Sequence, residues 1–157
     1  MDRTPKPSGQ LESLAEIGAE VNATVGALLF TILGFADDGR TMVRLYSSTP
    51  AAYPVGGRKD MAKDVSPAWA AIFVGGHTPY FGRTKQDVRQ IFGDHELIDS
   101  LGCGSVINVP VADEGILIGA LNLLNPEGLY ADTDVLTAAD IAARSQNAIR
   151  TALQEMT

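Results

Sequence analysis

The stretch Ser105–Leu124 reads SVINVPVADEGILIGALNLL. Ser105–Val111 and Ile116–Leu124 are two strand-like apolar runs, and Asp113-Glu114-Gly115 between them is a tight-turn signal. The spacing predicts a hairpin in which Asn108 falls near Ala120 and diagonal to Asn122. Alternation then puts Asn108, Ile118, Ala120 and Asn122 on one face. Ser105, Ile107, Val109, Val111, Leu117, Gly119, Leu121 and Leu123 take the other. One face is almost wholly apolar, and the other carries two amides. Gly119 has no side chain, so a helix can approach the apolar face closely.

A second hairpin is legible upstream. Ala27–Ala36 (ALLFTILGFA) is an almost unbroken apolar run, the pattern of a strand buried on both faces. Asp37-Asp38-Gly39 marks a turn. In Arg40–Ser47, Thr41, Val43 and Leu45 point one way and Met42, Arg44 and Tyr46 the other. Helices are expected at both ends. Gln10 to about Gly26 carries Leu11, Leu14, Gly18, Val21 and Val25 at helical spacing. The last helix is expected to run unbroken from about Asp134 to Met156, with Asp132 or Thr133 as N-cap and Val135, Ala138, Ala142, Ser145, Ile149, Ala152 and Met156 in one narrow stripe.

The middle is less regular. Ser48–Gly57 holds Pro50, Pro54 and Gly56-Gly57 and reads as loop. Asp60 to about Val74 reads as a helix with Val65, Trp69 and Phe73 on one side, its regular part starting at Ser66-Pro67. Thr78–Phe81 reads as a short edge strand, because Pro79 bars a central one. Thr84–Phe92 and Asp94–Leu101 read as short helices. Residues 1–9 read as a flexible tail and 10–157 as a single domain. The order helix, hairpin, irregular segment, hairpin, helix predicts an α+β architecture with an antiparallel sheet.

The chain has 157 residues, enough for one full core, with 45% apolar and 20% charged residues. Its net charge of -7 makes nucleic acid and anionic membrane surfaces poor partners. No apolar run reaches the ~20 residues of a membrane span. With one cysteine, Cys103, there is no internal disulfide. The expected setting is the cytoplasm. His77 and His95 are the only histidines, with no ligand cluster at metal spacing, so neither a metal nor a cofactor is expected.

Over roughly residues 10–153 the chain resembles a GAF domain. The resemblance rests on SVINVP (Ser105–Pro110), Gly115, LIGALNLL (Leu117–Leu124) and SQNAI (Ser145–Ile149). YSSTPAAYPVGGRK (Tyr46–Lys59) is similar to a subgroup of short stand-alone bacterial GAF proteins. The resemblance implies a PAS-like sheet of order 2-1-5-4-3. It also implies first and last helices on one face, often forming a homodimer, and a ligand cavity on the other. The implied role is a sensory module in signal transduction.

A ligand cavity needs apolar walls and a few convergent polar groups. The candidates are Arg44, Tyr46, Trp69, Asn108 and Asn122, with Asp94 and His95 at the rim. Trp69 would supply a wall, the amides would read a ligand edge, and Arg44 would pair an anionic group. Cyclic-nucleotide-binding members carry an Asn-Lys…Phe…Asp-Glu signature. Here Lys85, Phe92, Asp94 and Glu96 match it in part, but Thr84 replaces the asparagine and the acids are not adjacent. Two alternatives stand beside the sensor. One is a pure protein-interaction module. The other is an enzyme like the free methionine-R-sulfoxide reductases, with Cys103 as the nucleophile; that route needs an exposed, low-pKa thiol and an external thiol or a partner subunit to resolve it.

Overall fold

The computed structural model describes residues 9–156. The expected tail therefore lies, Gly9 apart, outside the described residues. Leu14–Thr24 forms α1, capped by Ser13, whose hydroxyl accepts from the Glu16 amide. The strands are β1 (Leu29–Ala36), β2 (Thr41–Ser47), β3 (Arg58–Asp60), β4 (Tyr80–Gly82), β5 (Ser105–Asp113) and β6 (Ile116–Asn125). They form one antiparallel sheet of order β3-β2-β1-β6-β5-β4. Without β3, this is the expected 2-1-5-4-3 order. The edge strand β3 is an addition to it. Three residues are too few for alternation to register, and a glycine pair precedes them.

The central hairpin turns as its sequence dictates. Glu114 and Gly115 sit at φ 52° and 80°, the paired positive values of a two-residue type I′ turn. The register differs from expectation. Asn108 lies directly opposite Asn122, not Ala120. Near the turn, Val111 pairs Gly119 while Ala112 pairs Leu117, so Ile118 is an extra residue, a β-bulge. A bulge reverses the facing of the residues beyond it. Ile118 consequently packs with the helix-side core and Leu117 with the opposite side, the reverse of strict alternation.

The helix-side layer is built by α1, α5 (Asp132–Ala143) and α6 (Gln146–Glu155). Ile17, Val21, Ala138, Ile141, Ala142, Ala148 and Ile149 are buried there against Phe30, Ile32, Ile107, Val109, Leu121 and Leu123. The expected single terminal helix is two helices, and its N-cap position is Ala131, whose amide donates to Asp134 Oδ2 at 2.8 Å. The break falls at Arg144-Ser145. There the Ser145 hydroxyl turns back to donate to the Ile141 carbonyl at 2.6 Å. The freed Arg144 carbonyl accepts instead from the Leu11 amide at 2.8 Å, and the Arg144 side chain pairs with Glu20 and Asp140. The break thus fastens the segment before α1 to the α5–α6 junction. Among the described residues, no helix is long and apolar enough to cross a membrane.

Gly119 sits where β6 meets both its neighbour strand and α6. A Cβ there would lie 2.5 Å from the Leu33 carbonyl oxygen and 3.1 Å from Ile149 Cγ2. The first neighbour is backbone of the paired strand and cannot swing away. Gly119→Ala is expected to cost about 1–3 kcal/mol by overpacking. Urea unfolding checks this as a lower midpoint at unchanged slope.

Candidate functional site

The other face of the sheet is roofed by irregular structure and encloses a cavity of about 90 Å³. The roof contains α2 (Pro67–Ala70), which runs on as a π-helical turn over Ala71–Gly75, and α3 (Lys85–Ile91) and α4 (His95–Ser100). Ser66 is the N-cap and Pro67 the first residue of α2, as the sequence indicates. That start places Trp69 against the sheet, only 4% exposed and stacked on Phe73 with ring centroids 4.4 Å apart.

The cavity floor carries a directed chain of hydrogen bonds. Trp69 Nε1 donates to Asn108 Oδ1 at 3.1 Å, Asn108 Nδ2 donates to Asn122 Oδ1 at 2.7 Å, and Asn122 Nδ2 donates to Thr31 Oγ1 at 3.1 Å. An indole can only donate, so Trp69 fixes which way both amides face. The direct register of Asn108 and Asn122 is what brings their side chains into contact. Thr31 interrupts the apolar run of β1 and ends this relay. That lone hydroxyl in a buried strand is its signal in the sequence.

A charged group sits beside the relay. Arg44 is held from both sides by the loop after β2: its amide donates to the Gly57 carbonyl, and its own carbonyl accepts from Gly56. Arg44 Nη1 donates to the Pro54 carbonyl at 3.1 Å, and the guanidinium lies 4.8 Å from the centre of the Tyr53 ring. A Cβ on Gly57 would stand 2.6 Å from Arg44 Nη1, so the glycine makes room for the guanidinium. The Tyr53 hydroxyl in turn donates to Asp94 Oδ2 at 2.5 Å. Burial pulls the Arg44 guanidinium below its ordinary value, with Tyr53 and Asp94 acting the other way. Burial and the bond to Asp94 push the Tyr53 phenol well above its ordinary value, so it stays a donor. Two polar atoms here are buried with no partner, Arg44 Nε and Asp94 Oδ1.

Of the seven residues expected at the site, Arg44, Trp69, Asp94, Asn108 and Asn122 line this cavity. Tyr46 does not. Ile32 pairs Tyr46 while Leu33 pairs Arg44, so Leu45 is an extra residue and Tyr46 is turned to the helix side. There it packs against Phe30 and over Gly18, where a Cβ would lie 2.9 Å from its hydroxyl. His95 is also elsewhere. It lines a small separate cleft at α3 and α4 with Lys85, Asp99 and Cys103. Tyr53, Lys59 and Asp64 line the main cavity without having been candidates, because the segments bearing them read as loop or helix.

Cys103 is 1% exposed, and burial pushes its thiol up to about 11. A nucleophilic thiol needs the opposite environment.

No family model and no curated protein matches the chain by sequence. Solved structures do. A GAF domain of a two-component sensor histidine kinase from Bacillus halodurans superposes with a TM-score of 0.67 at 15% identity, over 93% of this chain and 97% of that one. The chain has the GAF fold. The GAF domain of a phosphoenolpyruvate-protein phosphotransferase from Coxiella burnetii gives a TM-score of 0.72 at 12% identity, covering 91% and 83% of the two chains. The phycocyanobilin-bound GAF domain of a cyanobacterial phytochrome gives 0.65 at 18% identity, covering 90% and 83%. In this GAF fold the terminal helices and the roofed cavity occupy opposite faces of one sheet.

The site geometry has two measurable outcomes. Asn108→Ala strands the Trp69 N–H and the Asn122 carbonyl in the interior. It is expected to lower stability by about 2 kcal/mol or more in urea unfolding. A chromogenic thiol reagent at neutral pH is expected to leave Cys103 unlabelled in the native protein and to label it fully in denaturant. Labelling of the native protein should speed up as pH rises towards 11, as the buried thiol ionises.

Proposed function

We propose that this GAF-fold chain is a sensory module that binds a small molecule in the cavity under Trp69 and passes its occupancy to a dimer or partner in signal transduction. The observation that carries this reading is the pair of unpartnered buried atoms, Arg44 Nε and Asp94 Oδ1, beside a satisfied amide relay. Buried polar groups without partners cost about 1–3 kcal/mol each, and a ligand that rearranges and pairs them removes that cost. Apolar walls from Leu29, Leu33, Met42 and Leu124 complete a small-molecule site. Fold neighbours from a sensor histidine kinase and a phytochrome support the signalling role. The buried, raised-pKa Cys103 favours binding over thiol chemistry, and one free thiol suits a reducing cytoplasm.

The route of the signal is through the sheet. β1, β5 and β6 carry cavity residues on one face and bear α5 and α6 on the other. A ligand that prefers one roof arrangement shifts the population of helix packings behind it. The apolar stripes of α1, α5 and α6 are largely used against their own sheet, but Leu136 on α5 and Leu129 just before it remain 71% and 63% exposed. A homodimer through this face would cover them.

Native mass spectrometry of the purified protein tests both parts. The expected result is a dimer with extra non-covalent mass, with that mass lost in Trp69→Ala and the dimer lost in Leu136→Lys. A bare wild-type protein would remove the sensor reading, and a monomeric mass at high micromolar concentration would remove the dimer.

A further inference from the structure

The chemistry of the cavity narrows the class of ligand. Its charged lining is balanced: the cations are Arg44 and Lys59, and the carboxylates are Asp64 and Asp94. Arg44 and Asp94 are not joined in an ion pair. They stand on either side of Tyr53, one over its ring and the other on its hydroxyl. Each keeps unused capacity of opposite kind. Arg44 spends Nη1 on Pro54, while its Nε is without an acceptor. Asp94 spends Oδ2 on Tyr53, while its Oδ1 is without a donor. A guanidinium short of an acceptor calls for an anionic group, and a carboxylate short of a donor calls for an ammonium.

A ligand that satisfies only one of them leaves the other uncompensated. A dicarboxylate or a phosphate ester would pair with Arg44 but leave Asp94 Oδ1 without a donor, and a simple amine would do the reverse. Beyond the amide relay, whose side chains are already paired with one another, much of the wall is apolar, with Trp69, Phe92, Ile98 and Val106 lining the space. The volume of about 90 Å³ holds roughly half a dozen or more water-sized groups, on the scale of about 10–15 Å³ for one water.

Resting on the reading of this cavity as a ligand site, we propose that it takes a small zwitterion, an amino acid with an apolar side chain. Its carboxylate pairs with the Arg44 guanidinium, its ammonium with the Asp94 carboxylate, and its side chain lies against Trp69. Pairing requires the Arg44 and Asp94 side chains to turn their buried atoms towards the ligand.

Thermal unfolding with a matched ligand set tests this on the wild-type protein. The set is L-leucine, L-methionine and L-phenylalanine, then 3-methylbutylamine and 4-methylpentanoate, which are leucine without its carboxylate and without its ammonium. Succinate and cyclic AMP complete it. The expected result is a Tm rise of about 5 °C or more with at least one amino acid at hundredfold excess over its Kd. Neither half-molecule should reproduce that rise. Arg44→Gln and Asp94→Asn should each abolish the response, and the half-molecule comparison stands even if a variant fails to fold. A rise with succinate or cyclic AMP and none with an amino acid overturns the zwitterion but leaves the cavity a ligand site. Equal responses to leucine and to either half-molecule also overturn it. No rise with any compound, together with no bound mass in native mass spectrometry, removes both this inference and the sensor reading.

Discussion

Two asparagines facing each other across the central strands hold this fold to one arrangement. Asn108 and Asn122 are nearly fully buried, and their amides are satisfied only in one register and with one roof. A one-residue slip of β5 on β6 would turn one amide into the helix-side layer, which is filled by aliphatic and aromatic side chains. The cost would be about 1–3 kcal/mol for each group left unpaired. Because Trp69 donates to Asn108, the same constraint also fixes where α2 sits on the sheet. Register, the polarity of the two faces and the height of the roof are thus coupled through one chain of four side chains.

The two faces divide their labour chemically. The helix side is closed by close packing, with Gly119 admitting Ile149 and Gly34 admitting Leu153 to the strand backbone. The cavity side is closed by short elements with many backbone groups committed to loops, and it keeps its charges in the interior. Arg44 belongs to a strand, but its orientation is governed by the loop over Pro54–Gly57 that wraps it. The part of the molecule with the most unsatisfied chemistry is therefore the part with the least regular structure, as expected of a binding site held on a rigid sheet.

The hairpins, the amide-bearing face, the Ser66-Pro67 start of α2 and the helix approach at Gly119 are legible in the sequence because each arises from a local pattern. Two of the departures share one cause. Alternation assumes an unbroken ladder, and the bulges at Leu45 and Ile118 each insert one residue. This is why alternation points Tyr46 into the cavity and why it exchanges Leu117 and Ile118. No residue at either bulge advertises it. The break at Arg144-Ser145 is hidden for a related reason: the apolar stripe continues across it, and the contacts that favour it come from Leu11 and Glu20, far away in sequence. Tyr53 and β3 escape a sequence reading because proline and glycine mark a loop without saying what the loop is wrapped around.

Trp69 is the chain's only tryptophan. Its indole is stacked on Phe73, bonded to Asn108 and shielded from solvent at the cavity wall. The protein therefore carries a single indole fluorophore, placed where a ligand would rest. Its emission reports the polarity of the cavity alone, while far-ultraviolet dichroism reports the sheet and the helices. Any difference between the two signals on heating or in denaturant is a direct reading of whether the roof loosens before the sheet does.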